Sequence, residues 1–114
     1  MITLETINDS NFEEFLASPS VFLFLGKTDC EACNIWTNEL LTNIDSFEGL
    51  RFGKVTIGSP GLTNFKRVHG AWLSQARELP YNTIWVNGEK QKEWPGGGLD
   101  RLKSRLVNLG LIKT

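Results

Sequence analysis

Val21-Phe22-Leu23-Phe24-Leu25-Gly26-Lys27-Thr28-Asp29-Cys30-Glu31-Ala32-Cys33-Asn34-Ile35-Trp36 is the stretch on which the fold turns. Its first five residues form a continuous apolar, β-prone run, the pattern of a strand buried on both faces. The period then changes. Cys33, Trp36, Leu40, Leu41 and Ile44 fall at helical spacing and predict one apolar stripe. Thr28 and Glu31 have the spacing of a capping box, which predicts a helix start between them. Cys30 then lies in the first turn, where free N–H groups and the helix dipole favour a negative sulfur. Cys33 lies on the inward stripe and is expected to be the more buried thiol.

Outward from this stretch, the chain alternates between strand and helix signals. Ile2–Thr6 reads as a short first strand. Asp9 or Ser10 is placed to cap a helix that carries Phe12, Phe15 and Leu16 and ends near Pro19. Phe52–Ile57 reads as a strand closed by Gly58-Ser59-Pro60-Gly61, and residues 62–78 as mostly helical with an interruption at Gly70. Asn82–Val86, Asn87-Gly88 and Glu89–Trp94 give a hairpin signal, because Asn-Gly suits a two-residue type I′ turn. Leu99, Leu102, Leu106 and Leu109 mark a final amphipathic helix, with Gly110 as its C-cap. The predicted order is β-α-β-α-β-α-β-β-α, an α/β layout in which residues 1–114 form a single domain without repeats or linkers.

Composition narrows the function. The 114 residues are 40% hydrophobic and 22% charged, with a formal net charge of -1, so no basic field points to nucleic acid or an anionic membrane. The longest strongly apolar run, Val21–Leu25, is far short of the ~20 residues a membrane helix needs. The acidic, polar N-terminus lacks the basic-then-apolar order of a signal peptide, and the expected location is cytoplasmic. Only two cysteines are present, three positions apart, which is no disulfide framework. A zinc site is poorly supported with His69 as the lone histidine. A Cys-X-X-Cys pair suits disulfide exchange, since one thiolate must attack and a second must reach the resulting mixed disulfide. Two alternatives stay open: a metal or iron–sulfur module in which two chains each donate the motif, and two ordinary buried cysteines.

The chain resembles the thioredoxin family along nearly its whole length. The resemblance rests on Val21–Leu25, Cys30-Glu31-Ala32-Cys33, Lys54 in Lys54-Val55-Thr56-Ile57, Leu79-Pro80, Asn87-Gly88, and Gly96–Gly98 before the last helix. It implies a thioredoxin fold, a central mixed sheet flanked by helices, and a protein-disulfide oxidoreductase that needs no cofactor. Cys30 would attack and Cys33 resolve. Leu79 and a cis Pro80 would form the substrate-side wall, and Lys54, Asp29 and Glu31 would surround the sulfurs. The implied partners are disulfide-containing proteins and a recycling reductase. Several residues depart from the family pattern. Asp29 stands where thioredoxins place a Trp, Glu31-Ala32 replaces Gly-Pro, and Phe24 occupies the position of the family's buried Asp, leaving Lys54 without its usual neighbour. The segment from Pro60 to Pro80 is also longer than usual. A thioredoxin-fold interaction module without efficient turnover is therefore a second expectation. The other singled-out residues are expected to be structural: Trp36 on the helix stripe, Trp85 and Trp94 facing each other across the hairpin, His69 on the surface, and Lys90–Glu93 as a solvated strand face. Trp72 is expected to contact a partner.

Overall fold

The computed structural model of the protein describes residues 3–113. Its elements run β1 (Leu4–Thr6), α1 (Phe12–Leu16), β2 (Ser20–Gly26), α2 (Glu31–Asn43), a 3-10 turn (Ile44–Ser46), β3 (Arg51–Thr56), α3 (Thr63–Leu73), β4 (Tyr81–Val86), β5 (Glu89–Pro95) and α4 (Leu99–Asn108). The five strands form one sheet in the order β1-β3-β2-β4-β5. β2 is central, parallel to β3 and antiparallel to β4. Because successive strand side chains point to opposite faces, the apolar run of β2 splits by parity. Val21, Leu23 and Leu25 pack with Phe12, Phe15 and Phe65 beneath α1 and α3. Phe22 and Phe24 pack with Trp36, Leu40, Leu102 and Leu106 beneath α2 and α4. One sequence run thus serves both cores.

The predicted element order holds, and the first strand is found at Leu4–Thr6; Ile2 lies outside the described residues. In the β4–β5 turn, Asn87 and Gly88 have φ of 51° and 85°, the two positive values that a type I′ turn requires. Gly110, at φ 73°, ends α4: its N–H reaches Val107 O, and the Leu111 N–H reaches Leu106 O, a Schellman closure.

Several local readings are corrected by tertiary contacts. Neither Asp9 nor Ser10 caps α1, whose cap position is Asn11. The Asp9 carboxylate instead accepts the N–H groups of Asn64 and Phe65 at 3.1 and 2.8 Å. These are orphan donors at the start of α3, and Leu62 at its cap has no side-chain acceptor to offer them. α3 runs unbroken through Gly70, where packing of Phe65 and Leu73 outweighs the ~1 kcal/mol glycine penalty. Trp85 and Trp94 do not face each other. A β-bulge between Ile84 and Trp85 sets Trp94 opposite Asn82 and Trp85 opposite Lys90, so the extra residue reverses the parity of β5 and sends the two indoles to different cores.

His69 is half-buried rather than on the surface. Its ring lies 5.1 to 5.9 Å from those of Phe65, Trp85, Phe12 and Trp72, and its Nδ1 accepts the Trp72 indole N–H at 3.0 Å. Trp72 packs against the core, stacked on Tyr81 with the Lys90 ammonium 4.9 Å from its ring centroid. Lys90 also pairs with Glu93 at 2.8 Å, and Tyr81 donates its hydroxyl to Glu93 at 2.6 Å. Burial and this carboxylate push the Tyr81 hydroxyl pKa up to about 12. The strand face read as purely solvated is therefore tied to the aromatic cluster.

On the opposite core, Asn82 is fully buried yet has all its polar atoms engaged. Its Oδ1 accepts the Trp36 indole N–H at 2.8 Å, and its Nδ2 donates to Trp94 O at 3.1 Å and Gly96 O at 2.6 Å. One amide thereby joins α2 to β4, β5 and the loop before α4.

Two expected outcomes follow from these contacts. Asn82→Ala strands a buried indole N–H and two carbonyls, so it is expected to lower unfolding stability by about 3 kcal/mol in denaturant melts; a change within 0.5 kcal/mol would show that water replaces the amide. Burial, reinforced by the Lys90 charge, holds the His69 imidazole below its ordinary value. The unfolded imidazole takes up its proton near pH 6.5 and the folded one only at lower pH. The stability of the neutral, Trp72-bonded form is thus complete above ~6.5 and lost as pH falls through the folded value. Melts from pH 7.5 to 5 are expected to show a shallower decline for His69→Asn than for the parent chain, and equal slopes would rule out this linkage.

Candidate functional site

The site forms where β2 ends and α2 begins. Cys30 itself, with extended backbone (φ -108°, ψ 109°), is the N-cap of α2, and its Sγ accepts the Cys33 N–H at 3.1 Å. The sulfur takes the place that a Ser or Thr hydroxyl fills in ordinary caps. The Thr28–Glu31 capping box is thereby corrected: among the described residues the Thr28 hydroxyl makes no capping hydrogen bond, and its carbonyl accepts from Asn34 Nδ2 at 3.4 Å. The two cysteine Cα atoms are 5.2 Å apart and the sulfurs lie at disulfide distance. Cys33 is 0% exposed, whereas Cys30 is partly open to solvent. The expected difference in burial is present. The inward stripe of α2 comprises Cys33, Trp36, Leu40 and, in the turn beyond, Ile44; Leu41 is 52% exposed, because it lies about 100° around the helix from Leu40.

Leu79-Pro80 is a cis peptide, as the family resemblance implies. It approaches the cysteines across the end of the sheet, with Leu79 O 4.0 Å from Cys30 Sγ. Leu79 is half-buried and Pro80 buried. Asp29 and Glu31 are exposed on either side of Cys30 in the chain.

Lys54 comes to the site from β3, behind the buried cysteine. A Cβ placed on Gly26 would meet both Cys33 Cβ and Lys54 Cε at 3.3 Å, so the glycine leaves room for the lysine stem beside Cys33. Lys54 Nζ donates to Thr37 Oγ1 at 3.0 Å, and Thr37 Oγ1 donates to Cys33 O at 2.8 Å. Burial lowers the Lys54 pKa from its ordinary value. Where the family pattern has a carboxylate, the Phe24 ring stands 5.7 Å from the ammonium. Among the described residues Lys54 makes no ion pair.

Sequence reading missed Thr37 and Asn82. Thr37 carries a weak signal, since it follows Cys33 by four residues and so stands one turn along the same helix face. Asn82 carries none; an Asn inside a strand pattern reads as disfavoured. Among the described residues, no three His, Cys, Asp or Glu side chains gather in a way that could hold a metal ion, and no helix is long and apolar enough to cross a membrane.

No protein-family model and no curated protein sequence matches the chain. Solved structures do match it in shape. The crystal structure of Chlamydomonas reinhardtii thioredoxin f2 superposes with a TM-score of 0.78 at 17% identity, covering 97% of this chain and 100% of that one. Oxidized thioredoxin O2 from Arabidopsis thaliana gives 0.73 at 20% identity, covering 93% of each chain. A thioredoxin chain from the crystal structure of the ferredoxin:thioredoxin reductase and thioredoxin f2 complex gives 0.77 at 14% identity, covering 94% of each. At such identities the likeness concerns the fold. This chain has the thioredoxin fold, and its Cys30–Cys33 pair lies at a helix start in a manner that fits a thioredoxin-like site.

Proposed function

We propose that the chain is a protein-disulfide oxidoreductase that uses Cys30 and Cys33 as a redox dithiol. The observation that carries this reading is the asymmetry of the pair: Cys30 is a solvent-reaching N-cap, and Cys33 is buried one turn behind it. In the reduced protein, the N–H groups at the helix start stabilise a Cys30 thiolate. That thiolate attacks one sulfur of a substrate disulfide, forming a mixed disulfide and releasing the other substrate sulfur as a thiolate. The Cys33 thiolate then attacks Cys30 Sγ. The Cys30–Cys33 disulfide forms, the second substrate thiol leaves, and two electrons have passed to the substrate. No cofactor enters these steps.

The remaining site residues receive roles in the same scheme. Leu79 and Pro80 form the wall against which a substrate chain lies. Lys54, held by Thr37, is a positioning residue that favours negative charge at Cys33. Asp29 and Glu31 oppose charge build-up at Cys30 and limit how far its thiolate is stabilised. A recycling reductase restores the dithiol, a partner type supported by the thioredoxin f2 complex described above. A reducing compartment such as the cytoplasm suits this cycle, with residues 1–114 acting as one redox module.

A second reading, a fold retained as an interaction module with slow turnover, is favoured by Phe24. A carboxylate in that apolar layer could relay a proton from Cys33, and a phenyl ring cannot.

Cys33→Ser removes the resolving thiol while leaving Cys30 exposed. It is expected to accumulate covalent partner complexes on non-reducing gels, abolished by reductant, because intramolecular resolution normally outruns release through effective molarities of ~10⁵ M or more. Cys30→Ser is expected to trap none. Equal trapping by both would remove the assigned roles, and trapping by neither would favour the interaction module. Phe24→Asp is expected to destabilise the domain by several kcal/mol through a buried carboxylate while speeding substrate release. Denaturant melts and single-turnover disulfide reduction measure the two halves, and a more stable variant would contradict the packing assigned to Phe24.

A further inference from the structure

A cleft of about 470 Å³ opens beside the cysteines, between the ends of β2 and β3 and the C-terminal part of α3. Leu79 lines it, and the Leu79 carbonyl oxygen is 4.0 Å from Cys30 Sγ, so a single residue separates the cleft from the attacking sulfur. Ile57, Leu73 and Leu79 make it apolar inside. Lys27, Lys66 and Arg77 line it as well, and each is exposed. All three of its charged side chains are cations, in a chain with 12 basic and 13 acidic residues. None of the three forms an ion pair among the described residues. The residues that adjoin Cys30 in the chain carry the other sign: Asp29 and Glu31 are both exposed, and neither lines the cleft.

Resting on the exchange function proposed above, we infer that this cleft selects substrate proteins in which an acidic residue stands beside an apolar one within two residues of the attacked cysteine. The chain advances at most ~3.6 Å per residue, so a residue one or two positions from a cysteine bonded to Cys30 reaches the cleft. Its apolar neighbour fills the space against Ile57, Leu73 and Leu79, and the carboxylate meets Lys27, Lys66 and Arg77. Asp29 and Glu31 repel a carboxylate that stays beside Cys30, so repulsion there and attraction in the cleft favour one orientation of the substrate.

The test uses three otherwise identical fluorogenic disulfide peptides in which the cysteine is followed by Glu-Leu, Gln-Leu or Lys-Leu. For the parent protein kcat/KM is expected to fall in that order, with about five- to tenfold between the Glu and Lys peptides at low salt, the yield of a few exposed charge pairs. The difference is expected to shrink in 0.5 M salt. In the Lys66→Glu, Arg77→Glu double variant the order is expected to invert, a gain that misfolding cannot produce. Equal rates for the three peptides, or an unchanged order in the double variant, would overturn the cleft as a selectivity site while leaving disulfide exchange standing. Reduction of none of them would overturn both. Oxidised glutathione outpacing the Glu-Leu peptide would assign the cleft to a small anionic disulfide and overturn the protein-segment occupant.

Discussion

The buried side chain of Asn82 is the contact on which the placement of the cysteine-bearing helix depends. α2 lies across the sheet through apolar contacts, which are non-directional and by themselves permit sliding and rotation. The Trp36–Asn82 hydrogen bond removes that freedom, because a buried indole N–H has one favourable geometry and a costly alternative. The same amide holds Trp94 O and Gly96 O, so the strand that pairs with β2, the outer strand β5 and the start of the α4 loop share one anchor. Gly97 follows immediately, and a Cβ there would come within 3.2 Å of the Trp36 indole. The position of Cys33, one turn before Trp36, and of Cys30 ahead of it is thereby set by a side chain of the strand beneath α2.

In the proposed exchange cycle the charges around the sulfurs would act in opposite senses. The helix start and the Lys54 ammonium would favour negative sulfur, whereas Asp29 and Glu31 would disfavour it. Lys54 in particular keeps a half-buried charge whose pKa burial lowers, with a threonine hydroxyl and an aromatic face in place of a carboxylate. A cation over a ring recovers about 0.5–1 kcal/mol at such sites, less than a well-formed buried ion pair would require to offset its desolvation. Phe24 itself is fully buried in the apolar layer beneath α2 and α4. Under the proposed function, Phe24 would thus tie packing of the sheet to proton transfer at Cys33, with opposite demands on the same position.

Much of this was legible in the residues. The parity of Val21–Leu25, the helical spacing of Cys33, Trp36 and Leu40, the Asn87-Gly88 turn and the Gly110 cap are local patterns whose physics acts within a few residues, and each appears in the fold. The cap of α2 was not legible, because Thr28 matches the hydroxyl pattern and only the folded backbone shows a cysteine sulfur filling the role. The facing of Trp85 and Trp94 failed for a similar reason: a single bulge reverses alternation, and no residue type announces it.

The order of elements, the two-sided burial of the central strand and the presence of an asymmetric cysteine pair follow from the residues alone, since these rest on side-chain period and spacing. Which groups from distant segments meet is settled by the packed chain. Asp9 caps a helix start 55 residues away at Asn64, Asn82 holds Trp36 across 46 residues, Lys54 arrives behind Cys33, and three cations collect beside Leu79. Buried donors, acceptors and charges must find partners wherever the chain brings them, and that pairing is a property of the packed fold, beyond the reach of any local pattern.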